Sequence, residues 1–549
     1  MSLQIDNNLT FNSHRSPVAG RRGMVATSQP LAVAAGLEIL AQGGNAADAA
    51  VATAAALNVT EPTSTGIGGD CFALYFNAAD RKVSALNGSG RAPASLSLER
   101  LRDEGFDQEM PPFHPYTITV PGACAGWCDL VEAFGRLEMS QVLAPAIRLA
   151  EDGFPVAPIT AYFWSRGAER QLRSAPGGTE LTINGRAPKA GEIFSNPGLA
   201  RTLRAVARGG KKTFYQGEIA EAIVDIVDQA GGCLSPADLA AHYSTWETPI
   251  STIYRGLRIW ECPPNGQGLA ALLGLNILEG FNLSEFSPQS SPRLHLEIEA
   301  MRLAFADSSW FVADPAFNPV PLDELLSKDY AAERRQLIDP SRATLDQQHG
   351  TPTSASDTAY LSVVDGNGNA CSFINSNYMG FGTGIVPPGW GFSLQNRGHN
   401  FSLDADHPNA LAPGKRPYHT IIPAIATHPS SNGSDDLFAS FGVMGGFMQP
   451  QGHLQVVVSM VDDGLDPQKA LDQPRFCISS GESGGGVALE EGIGSEVIAE
   501  LADMGHDVEQ VSGHGRALFG RGQIILREAE SGVLWGGSDP RADGCAMSL

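Results

Sequence analysis

Residues 354–378 read SASDTAYLSVVDGNGNACSFINSNY, and the reading of this stretch decides the fold. Small polar residues lead to Asp357-Thr358, then two apolar runs, 360–364 and 370–374, flank the turn Asp365-Gly366-Asn367-Gly368. β-Branched and aromatic residues on either side of a Gly/Asn turn predict a β-hairpin. Taken alone, a Thr at the mouth of such a strand is an ordinary strand residue, because β-branching favours the extended chain.

The chain around the hairpin is long, with 549 residues, enough for two to four domain-sized units. A hydrophobic fraction of 42% fills a large core, and 18% charged residues suits a bulky globular enzyme. Net charge is −23, which repels polyphosphate and argues against nucleic acid as a partner. The eight cysteines form no C-x-x-C pair, and Cys124 and Cys128 have no second pair or nearby histidine to complete a zinc site. They read as small buried hydrophobes in a reduced compartment. HExxH is absent and the histidines are dispersed, so neither a metal nor an organic cofactor is expected. The N-terminal MSLQIDNNLTFNSHRSP lacks the apolar core of a secretory signal, and no run of eighteen apolar residues exists. The expected location is the cytoplasm, with no membrane partner.

Residues 1–22 read as a polar arm. A short strand and two Ala-rich helices follow, the first opened by Pro30 and stopped by Gly43-Gly44, the second capped by Asn45. Residues 46–59 predict a buried helix, too short to span a membrane. The glycine turn at 66–70 precedes a strand at 73–76, the reverse of a phosphate loop, and so predicts a close approach of two backbones. The P-loop lookalike at 209–213 has Ala205 in place of its first glycine and is rejected as a nucleotide site. Residues 340–357, rich in Ser, Thr and Gln, read as a cleavable linker. Beyond the hairpin, strands are expected at 391–394, 421–426, 437–441, 455–460, 522–527 and 533–535, with a helix at 467–472. Helices flanking mixed strands support an α/β or α+β class.

DTAYLSVVD (357–365) followed by SNYMGFGTGI (376–385) resembles the processing site of the γ-glutamyltransferase family. The likeness extends through GIGGDCF (66–72), Val120-Pro121-Gly122, LAPAIRLAEDGFPV (143–156) and MRLAFADSSWFVADP (301–315), from about residue 22 to 545. It implies the four-layer αββα sandwich of N-terminal-nucleophile hydrolases, an α+β fold in which two self-cut fragments share one core. The large-subunit region is 23–357 and the small-subunit region 358–549. Cleavage between Asp357 and Thr358 turns an amide nitrogen into an α-amine of pKa roughly 7.7–8.0, a base beside the Thr hydroxyl.

The resemblance further implies Ser376 as a second hydroxyl on the nucleophile and Gly445 and Gly446 as the oxyanion hole. For the substrate clamp it points to Arg91, displaced two places from the family's usual arginine, Asn400 where an acidic residue is usual, and His419 and Thr420 in place of a Ser-Ser pair. Losing the acid removes the partner of an α-ammonium, and neighbouring Arg397 and His399 suit an anion. These departures resemble a branch with glutaryl-cephalosporin acylases and oxamate amidohydrolase. The expected activity is that of a self-processing N-terminal-Thr amidohydrolase or acyltransferase, glutathione hydrolase-like, acting on small amides whose acyl group carries a carboxylate. The alternatives are an oxamate amidohydrolase or glutaryl-cephalosporin acylase-like hydrolase, a non-catalytic binding homologue, and a cysteine hydrolase using Cys371. The expected partners are the substrate and the two fragments of one precursor, with a homo-oligomer of processed units as a further option.

Overall fold

The computed structural model describes residues 15–345, 358–430 and 434–549. The predicted hairpin is present as Ala359–Asp365 and Ala370–Ser376, paired antiparallel with Ala359 opposite Asn375. Every residue of both strands is buried, as an inner sheet covered on both faces requires. Side chains alternate accordingly: Leu361 and Val363 face helices, while Tyr360 and Val364 face a second sheet.

The hairpin sits at the centre of a seven-stranded antiparallel sheet. Its strand order is Cys545–Ser548, Gly23–Thr27, Ala359–Asp365, Ala370–Ser376, Asp70–Asn77, Lys82–Gly88 and Thr245–Glu247. The second seven-stranded antiparallel sheet runs Val18–Gly20, Leu534–Ser538, Arg521–Arg527, Asp436–Met444, Ala424–His428, Leu257–Glu261 and Ile250–Tyr254. Each sheet takes strands from before and after residue 358, so the two regions share one core. Between the sheets lie Phe72, Tyr360, Ile374, Ile421, Ile425 and Ile525. Gly442 lets them close, since a Cβ there would stand 2.5 Å from the Tyr360 ring.

Helices Pro30–Ala41 and Ala46–Thr60 cover the outer face of the first sheet. Asn45 starts the second with a capping box, its Oδ1 accepting from Ala47 N and Asp48 N while Asp48 Oδ2 accepts from Asn45 N at 2.9 Å. Every residue of Ala46–Thr60 is buried, which its small side chains permit. Gly268–Leu278, Ser291–Phe311 and Met448–Val461 cover the second sheet and complete the four αββα layers. No described helix is long and apolar enough to cross a membrane.

The structure corrects several sequence expectations. Residues 455–460 belong to the helix Met448–Val461, not to a strand. A short β-branched run cannot by itself distinguish a buried strand from a buried helix. Residues 391–394 form no strand: Gly384, Gly389 and Gly391 have positive φ, and Asn196 Nδ2 donates to the Gly391 carbonyl at 2.8 Å, folding the segment onto another loop. The strand expected at 421–426 is displaced to Ala424–His428. The N-terminal arm is structured at Val18–Gly20, which pairs with Leu534–Gly536. The linker from residue 346 onward, with Asp357, lies outside the described residues.

Candidate active site

Thr358 precedes the central strand by one residue and is fully buried. Because Ala359 faces Asn375, the register sets Thr358 beside Ser376, and the two hydroxyl oxygens are 3.2 Å apart. Ser376 Oγ accepts from Tyr378 N at 2.8 Å and from Arg397 Nη2 at 3.1 Å. With N–H groups on its acceptor side, what Ser376 has to give is its proton, and Thr358 Oγ1 is within reach of it.

Arg397, named from the sequence only as a neighbour of Asn400 that suits an anion, occupies the centre of this arrangement. Its guanidinium also donates to Thr420 Oγ1 at 2.7 Å and lies 4.4 Å over the Tyr378 ring. It is completely buried, yet among the described residues no carboxylate pairs with it and its Nε has no partner. Burial lowers its pKa to about 10, against the opposing pull of Asp70. Only the fold reveals this, since LQNRGHN gives no sign that one of its polar residues turns inward.

Asp70, at the end of the GIGGD turn, organises the other side. Its Oδ1 accepts from Gly90 N, Gly122 N and Gln395 Nε2, each at 3.0 Å. Its Oδ2 lies 3.1 Å from His419 Nε2. Ile421 N donates to His419 Nδ1 at 3.4 Å, which puts the imidazole proton on Nε2, pointing at Asp70. Burial, with Arg397 and Arg416 nearby, keeps His419 neutral by lowering its pKa well below the usual range. Burial also raises Asp70 to about 6, with Arg397 opposing. The glycine turn does bring two backbones together, because a Cβ on Gly69 would stand 2.2 Å from the Ser376 carbonyl oxygen.

Gly445 and Gly446 form the turn between Asp436–Met444 and Met448–Val461, with φ of 136° and 60°. Neither donates its N–H to another described residue. Gln267 Nε2 donates to both the Thr420 and Gly446 carbonyls, so hydrogen bonds run from Thr358 through Ser376, Arg397, Thr420 and Gln267 to the glycine turn. That arrangement joins the Thr358 hydroxyl, a second hydroxyl, a buried cation and a turn with free amides.

The remaining clamp candidates lie apart from this chain. Arg91 is stacked 4.3 Å over the Tyr243 ring and donates to the Tyr243 carbonyl at 3.3 Å. Asn400 Nδ2 donates to the Tyr418 carbonyl at 3.0 Å, fastening its loop. His419 orients Asp70. Cys371 is wholly buried among side chains of the helical layer, and burial drives its thiol pKa far up. A triad able to hold a metal, His295, Glu299 and His506, occurs in the other helical layer. There His295 Nδ1 and His506 Nε2 already share a hydrogen bond of 2.8 Å, and the Arg302 cation lies 3.4 Å from Glu299.

The γ-glutamyltranspeptidase family model matches residues 32–549. The chain belongs to that family. It is 37% identical to the glutathione hydrolase-like YwrD proenzyme of Bacillus subtilis strain 168, over 97% of this chain and 99% of that one. It is 33% identical to the oxamate amidohydrolase proenzyme of Klebsiella pneumoniae, again over 97% and 99%. Among solved structures, a cephalosporin acylase from Bacillus halodurans superposes with a TM-score of 0.92 at 46% identity, over 100% of this chain and 99% of that one. Membership makes this chain an enzyme acting on amide bonds, with the fold of N-terminal-nucleophile hydrolases. The proenzyme names of its relatives support a precursor that is processed into fragments.

Proposed function

We propose that the chain cuts itself before Thr358 and then hydrolyses, or transfers the acyl group of, amides whose acyl part carries a carboxylate. The observation that carries this reading is the hydrogen-bonded series Thr358–Ser376–Arg397, which sets a buried cation two hydrogen bonds from the nucleophile. The direct hydrogen bonds of the guanidinium go only to neutral hydroxyls, with Asp70 a more distant countercharge, and an incoming carboxylate supplies a directly paired one. The names of the relatives, glutathione hydrolase and oxamate amidohydrolase, agree with an acyl group of that class.

In the precursor, Thr358 Oγ1 attacks the Asp357 carbonyl, the peptide C–N bond breaks and an ester forms. Water hydrolyses the ester, leaving a carboxylate on Asp357 and a free α-amine on Thr358. In the mature enzyme that amine takes the hydroxyl proton as Oγ1 attacks the substrate carbonyl. Gly445 and Gly446 N–H groups stabilise the oxyanion, each donor worth roughly 3–4 kcal/mol. The proton passes to the departing amine, and water or an acceptor amine then releases the acyl group from Thr358. The test compares the wild type with Thr358→Ala on carboxylated amides. The wild type turns them over and the variant does not. Equal turnover by both removes Thr358 from the mechanism.

A further inference from the structure

A cavity of about 900 Å³ opens beside the site, with Gly445 of the proposed oxyanion turn in its wall. Met379 and Gly380, which follow the Tyr378 that stacks on Arg397, form another part of the wall. Thr358, Ser376 and Arg397 are not among its lining residues. The cavity therefore adjoins the oxyanion turn on a side that the anion receptor does not share.

Its lining mixes an aromatic floor, Phe163, Phe381 and Phe447, with the polar side chains of Thr63, Gln171, Ser479 and His514. At its rim stand two exposed guanidiniums, Arg166 and Arg170. Arg166 donates to the Tyr162 hydroxyl at 3.0 Å and Arg170 lies 5.0 Å over the Phe113 ring. Neither is ion-paired to a carboxylate among the described residues, although Glu169 also lines the cavity and offsets part of their charge. A volume of this order matches sites that bury a drug-sized ligand, roughly 300–1,000 Å³, and far exceeds what a primary amide needs for its departing ammonia.

We infer that this cavity holds the amine half of the substrate, and that this half is a bulky aromatic amine bearing an acidic group. The inference rests on the reading of Thr358 and Arg397 given above. The scissile carbonyl lies at Gly445, its carboxylated acyl part turns towards Arg397, and the amine part extends over the aromatic floor towards Arg166 and Arg170.

The test uses one acyl group, glutaryl, joined to 4-aminobenzoate, to the uncharged 4-aminobenzamide and to ammonia. The self-cut enzyme is expected to prefer both aryl amides over the ammonia amide. It is also expected to favour the 4-aminobenzoate amide over the 4-aminobenzamide amide by about tenfold in kcat/KM, a rim charge effect that high salt weakens. Arg166→Ala/Arg170→Ala brings that ratio close to one, and Phe163→Ala lowers kcat/KM for both aryl amides relative to ammonia. A structural role for the arginines would lower both aryl amides alike and leave the ratio in place, which overturns the assignment. So does a wild-type ratio near one with all three amides turned over. Failure of the processed enzyme on every amide instead overturns the Thr358–Arg397 reading itself, and the cavity assignment with it.

Discussion

Replacing Arg397 by Met separates recognition from mere positioning. The guanidinium holds Ser376 Oγ and Thr420 Oγ1 and keeps one N–H, on Nε, without a partner. If that N–H and its charge receive the substrate carboxylate, the lost interaction is one charge-assisted hydrogen bond, about 1.5–3 kcal/mol. At about 1.4 kcal/mol per tenfold, kcat/KM for a carboxylated acyl amide falls about 10- to 150-fold more than for a neutral isostere. A colorimetric assay of glutaryl-4-nitroanilide against its methyl ester reads this ratio directly. Loss of the bonds to Ser376 and Thr420 slows both substrates, so only the ratio reports recognition. Arg91→Ala, whose side chain rests on Tyr243, leaves the ratio within about twofold, the scale of ordinary surface substitutions. Should Arg397→Met slow both substrates equally while Arg91→Ala abolishes the preference for the acid, the anion receptor is Arg91 and the argument from burial is wrong.

Ser376→Ala removes the hydroxyl facing Thr358 and the acceptor that Ser376 offers the Tyr378 N–H. Self-cleavage, followed by gel electrophoresis, is expected to slow about 2- to 13-fold for a lost neutral bond of about 0.5–1.5 kcal/mol, and Ser376→Thr to restore most of the rate. The precursor has no free amine at Thr358, so its acid limb reports other groups. Asp70, held at about 6, must be ionised to accept from its four donors, and self-cleavage is expected to fall about tenfold per pH unit below about 6. Asp70→Asn gives a slower rate without that limb. Because the folded-state value is raised above the ordinary 3.8, Asp70 adds stability as pH falls from about 6 towards 3.8. Circular dichroism should therefore show a folded chain across the limb.

Much of the fold was legible because local chemistry and global placement agree. The Gly/Asn turn set the hairpin, Asn45 and Asp48 carry a capping box, and the alanines of residues 46–60 declare a helix packed on all sides. The αββα layering came from family resemblance, since alternation and turn spacing support only the broad class. Residues 455–460 misled because Val456, Val457 and Val458 lie against the second sheet in a helix that is buried nearly throughout, so apolar periodicity is erased. The candidate site divides the same way. Ser376 follows from strand register once the hairpin is drawn, whereas Asp70 meets Gln395 and His419 across 325 and 349 residues of chain, and Arg397 depends on its loop turning inward between Ser376 and Thr420. A motif points to Arg91, but its backbone delivers the guanidinium to Tyr243.

The most direct measurement is the N-terminal sequence and intact mass of the purified, aged protein. Two fragments are expected from the 57.9 kDa chain, the smaller starting at Thr358, together with an uncut Thr358→Ala variant. An enzyme that hydrolyses amides while intact, or after a cut that leaves Thr358 inside the chain, contradicts that expectation.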